Sequence, residues 1–126
     1  MRILGVSQLW EKLKQDIWTT FRFERKDRDW RIGEVAQIVL HPRSKKRQVL
    51  GLAQIVKKEP RWMDWQFPKS QYQLILLDEI KADGFEDWES MYRWLLSAYG
   101  INSRLMFEAM NKLTLQWKER RRDGIE

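Results

Sequence analysis

Trp18-Thr19-Thr20-Phe21-Arg22, then Gly33-Glu34-Val35-Ala36-Gln37-Ile38-Val39-Leu40, then Gly51-Leu52-Ala53-Gln54-Ile55-Val56 are the runs within residues 18–57 that decide the fold. Each is rich in β-branched, aromatic or aliphatic residues and is bounded by polar or glycine-containing connections, the pattern of three successive strands. The connections are cationic. Arg22, Arg25, Lys26, Arg28 and Arg31 precede Gly33, and Arg43, Lys45, Lys46 and Arg47 fill the next turn. Crowding like charges costs a small domain stability, and a polyanionic partner is the simplest reason to keep them.

The charge is divided unevenly along the chain. Residues 1–63 carry 15 Lys/Arg against 7 Asp/Glu, a net +8, whereas residues 64–126 carry 9 against 11, a net −2. The basic surplus therefore belongs to the strand-rich half. A length of 126 residues, with 43% hydrophobic and 33% charged side chains, describes a single globular domain over 1–126 with room for a true core. Cysteine is absent, so disulfides and thiolate metal sites are excluded. The first apolar run is too short for a signal peptide, and no window reaches the ~18–20 apolar residues of a membrane span. A cytoplasmic location without membrane contact is the expectation.

Outward from the three strands, Ser7 is placed to cap a helix over Gln8 to Ile17, with Leu9, Leu13 and Ile17 on one side. Strands are expected over Thr19–Glu24, Val35–Leu40 and Gln48–Lys57, with His41-Pro42 closing the second and Gly51 bending the third. Residues 59–72 read as an irregular connection containing Pro60 and Pro68, unusually rich in aromatics. A short strand over Gln73–Leu77 follows, then a brief helix capped by Asp78 and stopped by Gly84. Asp87 caps the clearest helix, whose face carries Trp88, Met91, Tyr92, Leu95 and Tyr99 before Gly100. Asn102 is a candidate cap for a further helix through Met110. Alternation of Leu113, Leu115 and Trp117 marks a last strand before a charged tail from Lys118 to Arg122. These elements predict an α+β fold, a small mixed β-barrel with flanking helices. An open antiparallel sheet covered by helices is the alternative.

Thr20-x-Arg22 on the first strand of this series, Gly33-Glu34 opening the next, Gly51, and Ala82-Asp83-Gly84-Phe85 before the helix from Asp87 resemble, in order and spacing, the ASCH domain. That family is a branch of the PUA-like superfamily. The resemblance implies a PUA-like barrel that binds RNA or nucleotides in a cleft beside the first strand. Some members are similar to amidohydrolases of acetylated cytidine and carry Gly-x-Lys-x-x-Thr-x-Arg, whose lysine is the implied catalyst. Thr20 and Arg22 fall in register with that motif, but its glycine and lysine positions fall on Gln15 and Ile17. Isoleucine is neither base nor nucleophile, so binding is favoured over turnover. Lys14 lies one turn earlier.

Arg22 is the sharpest single residue, either half-buried against Glu34 or Glu24 or gripping a phosphate or base edge in the cleft. Thr20, two residues earlier, faces the same side of a strand. The expected nucleic-acid site comprises Thr20, Arg22, Arg25, Lys26, Arg28, Arg43, Lys45, Lys46 and Arg47, with Trp62 as a stacking surface. Trp30 and Trp65 are weaker candidates for stacking. Single-strand stacking is worth roughly 1–3 kcal/mol per base. His41 is the only histidine and supports no catalytic motif, and neither a metal nor a cofactor is expected. Two rival classes stand beside the RNA or nucleotide partner. One is a hydrolase of nucleic acid or a modified nucleoside, with Glu34 as base and Arg22 on the developing charge. The other is a protein-interaction module using the acidic Asp78–Glu89 face.

Overall fold

The computed structural model describes residues 1–100 and 104–121. Five strands form one sheet: β1 (Ile3–Val6), β2 (Ile17–Arg22), β3 (Val35–Leu40), β4 (Gln48–Arg61) and β5 (Met110–Arg120). Their order is β1-β3-β4-β5-β2. β1 runs parallel to β3 and the remaining pairs are antiparallel. Two helices, α1 (Leu77–Ala82) and α2 (Trp88–Tyr99), and two 3₁₀ turns at Glu11–Lys14 and Arg104–Met106 complete a mixed α+β fold.

The long β4 makes the sheet curl. Its first part, through Gln54, pairs with β3, and it pairs with β5 from Gly51 to Arg61. Bulges at Ile38/Val39, Leu52/Ala53 and Ile55/Lys57 add bend and twist. Gly51 sits at the tightest point, with φ +148° and only 2.0 Å between a notional Cβ and the Glu119 carbonyl oxygen. No side chain fits there. The result is a half-barrel whose two edges, β1 and β2, share no ladder and meet through a side chain: Arg22 Nη2 donates to the Gly5 carbonyl at 2.8 Å.

Two apolar clusters hold this shape. Leu4, Trp18, Ile38, Leu50, Ile55, Leu113 and Leu115 fill the concave side of the sheet together with Leu13. Phe21, Met63, Ile75, Ile80, Met91, Leu95 and Met110 pack the helices against the other end. A buried ionic network joins α1 to the sheet. Arg61 Nε donates to both Glu79 oxygens at 3.0 Å, and Lys112 Nζ donates to Glu79 Oε2 at 2.7 Å. Burial raises the Glu79 carboxyl, but these bonds outweigh it and hold the pKa down at about 2.

β3 and α2 have the expected ends. Asp87 Oδ1 accepts from the Ser90 amide at 2.8 Å, and Gly100 ends the helix at φ +90°. Other elements differ. The expected helix over Gln8–Ile17 is only the 3₁₀ turn Glu11–Lys14. Leu9 and Ile17 are each 50% exposed, because the β-branched run starting at Ile17 draws the chain into β2. β1 was not expected. β4 continues through Pro60, which is tolerated because beyond Ile55 this strand pairs on one side only. The expected strand Gln73–Leu77 is a single bridge between Trp62 and Leu74. Glu79, rather than Asp78, satisfies the start of α1, accepting from the Leu76 amide at 3.0 Å. Lys118 to Arg120, expected as the start of a charged tail, belong to β5; Arg122 and the proposed cap Asn102 lie outside the described residues.

Candidate nucleic-acid interface

The seam between β1 and β2 is where site residues gather. Thr20 and Arg22 project together from β2, as their spacing of two requires. Arg22 Nε donates to Thr20 Oγ1 at 3.2 Å and Nη2 to Gly5. Neither Glu24 nor Glu34 pairs with it. Glu34 is instead gripped by Arg2, with Nε at 2.8 Å and Nη2 at 2.6 Å. That bidentate bond holds the Glu34 carboxyl below its usual range and commits both its oxygens to Arg2. Burial lowers the Arg22 pKa, opposed by Tyr99 and Asp83, yet a guanidinium stays protonated. Arg22 thus presents a fixed, partly desolvated charge.

On the outer side of Arg22 lies an open cleft of about 730 Å³. Arg22, Arg25, Lys26, Arg43 and Arg104 line it, against Glu24 as the lone lining carboxylate among the described residues. The cations are not equally free. Arg25 meets Asp27 at 3.3 Å, and Arg104 pairs with Glu108 and donates to the Glu24 carbonyl at 2.9 Å. Lys26 and Arg43 have no ion-pair partner among the described residues. Three aromatics complete the walls. Trp30 is buried beneath the Arg2 guanidinium, 4.2 Å from its ring centre, and Phe23 packs edge-on against Tyr99. Tyr99 is 42% exposed and is the aromatic face open to a ligand.

Not every expected residue belongs to this cleft. Arg28 reaches Glu34 at 3.4 Å instead. Lys45, Lys46 and Arg47 are exposed on the β3–β4 connection and do not line it, and Arg47 donates to the Pro42 carbonyl at 3.4 Å. Trp62 is a correction. It is 2% exposed, its indole N–H donates to the Phe67 carbonyl, and Tyr72 stacks on its face at 5.5 Å. A base has no access to that ring. Trp65 is likewise committed, stacked on Trp88 at 5.6 Å.

Behind Arg22 and Tyr99, which both recesses share, is an inner chamber of about 140 Å³. It contains a pair that sequence reasoning missed: Lys12 Nζ lies 2.6 Å from Asp83 Oδ1, both side chains buried. Burial pushes the Lys12 amine down and the Asp83 carboxyl up, each against the pull of its partner. Trp10, Phe85 and Trp94 form an aromatic cluster around them, with Trp10 centred 5.3 Å from Phe85 and 5.7 Å from Trp94. Gly84, at φ +110°, lets this turn close on Trp10; a Cβ there would stand 3.2 Å from the indole. Lys12 reads in sequence as one more lysine on a polar helix face, and only the 3₁₀ turn aims it inward.

Among the described residues, no group of three or more His, Cys, Asp or Glu is arranged to hold a metal ion. No described helix is long and apolar enough to cross a membrane. The chain matches no protein-family model, no curated protein and no solved structure.

Proposed function

We propose that this protein binds RNA or a nucleotide in the cleft beside β2, as an ASCH-like, PUA-type barrel. One observation carries the reading: five cationic side chains and, among the described residues, a single carboxylate surround a recess at the seam, and three of the five, Arg22, Lys26 and Arg43, lack ion-pair partners among the described residues. Unpaired, convergent cations on a rigid edge are the footprint of phosphate binding. The hydrogen-bonded Thr20–Arg22 pair supports it, because the guanidinium is held in place before a ligand arrives. Amide NMR during titration with a short single-stranded RNA tests the location. Signals of Arg22–Lys26, Arg43 and Tyr99 are expected to move, while those of Lys45–Arg47 stay. Shifts centred elsewhere reject the cleft.

A second reading, a hydrolase of a modified nucleoside, is favoured by the Lys12–Asp83 pair in the chamber behind Arg22. The family's motif lysine is Ile17 here, yet Lys12 places an amine within a chamber that Arg22 also lines. A lysine that passes its proton to Asp83 becomes a base or nucleophile, and Arg22 would stabilise charge developing on a carbonyl oxygen. Acetylated cytidine incubated with pure protein decides. Turnover that disappears in Lys12→Met selects this reading, and no turnover by the unmodified protein dismisses it.

A further inference from the structure

The outer cleft does not end at Arg104. Past Glu24 and Arg104, which line both, it continues into a second depression of about 220 Å³ walled by Tyr72, Pro60, Asn111 and Glu108. The chemistry changes along this path. The cleft is cationic, whereas the depression carries two carboxylates, Glu24 and Glu108, with Arg104 already paired to Glu108. Phosphate is repelled from such a hollow. A nucleobase edge, which carries N–H donors and no charge, is accepted by carboxylate and amide oxygens.

The hollow also has an aromatic wall prepared for stacking. Tyr72 is half-buried and lies nearly parallel to Trp62, 12° between planes. Trp62 is immobilised by its bond to the Phe67 carbonyl at 3.0 Å and by Lys69, 4.8 Å from its ring centre. One face of Tyr72 is therefore backed by a fixed indole, and the tyrosine needs little further ordering to receive a base. The stacking surface expected at Trp62 is displaced outward by one ring.

A recess for phosphate followed by a recess for a base repeats the alternation of a polynucleotide. Accepting the cleft reading on which this rests, we infer that the ligand is a single strand occupying at least two successive nucleotides, with its phosphates at Arg22, Lys26 and Arg43 and one base stacked on Tyr72. A lone nucleotide would leave the second depression empty.

The test is a competition series with oligoadenylates of one to six nucleotides, against a fluorescent RNA, in low salt. Affinity is expected to rise about ten- to hundredfold between the mononucleotide and the trimer. Replacing one nucleotide of the trimer by an abasic residue at the responsive position, or Tyr72→Ala, is expected to abolish that gain. Tyr72→Phe keeps the ring over Trp62 and should retain it, and the length and abasic series need no variant. Should the mononucleotide compete as well as the trimer, with abasic residues and Tyr72→Ala without effect, the strand inference is overturned while the phosphate cleft stands. Absence of binding by any of these ligands overturns both.

Discussion

Asp83→Asn is expected to destabilise the fold by about 3–5 kcal/mol, the cost of leaving a buried charge without its partner. Lys12 Nζ and Asp83 Oδ1 are 2.6 Å apart, and both side chains are more than nine-tenths buried. With the carboxylate neutralised, the ammonium must stay charged beside Arg22, which already opposes it, or give up its proton. For a domain of this size the loss corresponds to a melting temperature lower by roughly 10 °C or more. Lys12→Met/Asp83→Leu removes both charges and should cost less than Asp83→Asn alone, because it leaves no orphan ion. Thermal and urea unfolding of the three proteins measures this. A single variant within about 1 kcal/mol of the parent would show that the pair is not buried in solution.

The second large effect is on binding. Arg25→Ala/Arg43→Ala is expected to weaken single-stranded RNA binding about a hundredfold, since each lost charged contact is worth roughly 1.5 kcal/mol. Both side chains are exposed, Arg43 has no ion-pair partner among the described residues, and the Arg25 guanidinium has the surface contact to Asp27 and lies 5.8 Å from the Trp30 ring centre. Folding should therefore be unaffected, which separates this variant from Asp83→Asn. Its salt dependence should also flatten, by about 0.7 per phosphate contact removed. Lys45→Ala/Lys46→Ala, on the neighbouring tip outside the cleft, serves as the control. Equal losses from the two double variants would mean that net charge, and not the cleft, drives association.

Residues 18–57 hold the three expected strands, although the first spans Ile17–Arg22 instead of Thr19–Glu24 and the third runs on to Arg61, and the match is best where local preference and tertiary setting agree. Val35–Leu40 is apolar apart from Gln37 and lies between neighbours, β1 and β4, on both edges. Asp87 and Gly100 bracket α2 because caps are local chemistry. The first seventeen residues were misread for the opposite reason. Ile3–Val6 is four residues long and is a strand only because β3 lies beside it, and Leu9 and Ile17 mimic a helical face that has nothing to pack on. Pro60 breaks an interior strand but not one paired on a single side. The cationic cleft was partly legible, since Arg22, Arg25 and Lys26 are neighbours in the chain. Arg43 reaches it from a separate connection and Arg104 from the far end of the chain. The Lys12–Asp83 pair joins positions 71 residues apart and leaves no local trace. Trp62 illustrates the limit of composition: an indole beside lysines and arginine in an irregular segment looks available, and the bridge to Leu74 and the Tyr72 ring close it off.

Affinity of the unmodified protein for single-stranded RNA, followed from 50 to 300 mM salt, is the most direct measurement of whether the seam holds a polyanion. Contacts from Arg22, Arg25, Lys26 and Arg43 give an expected slope of about −3 in log affinity against log salt. A line without slope, or no complex at the lowest salt, would contradict the account.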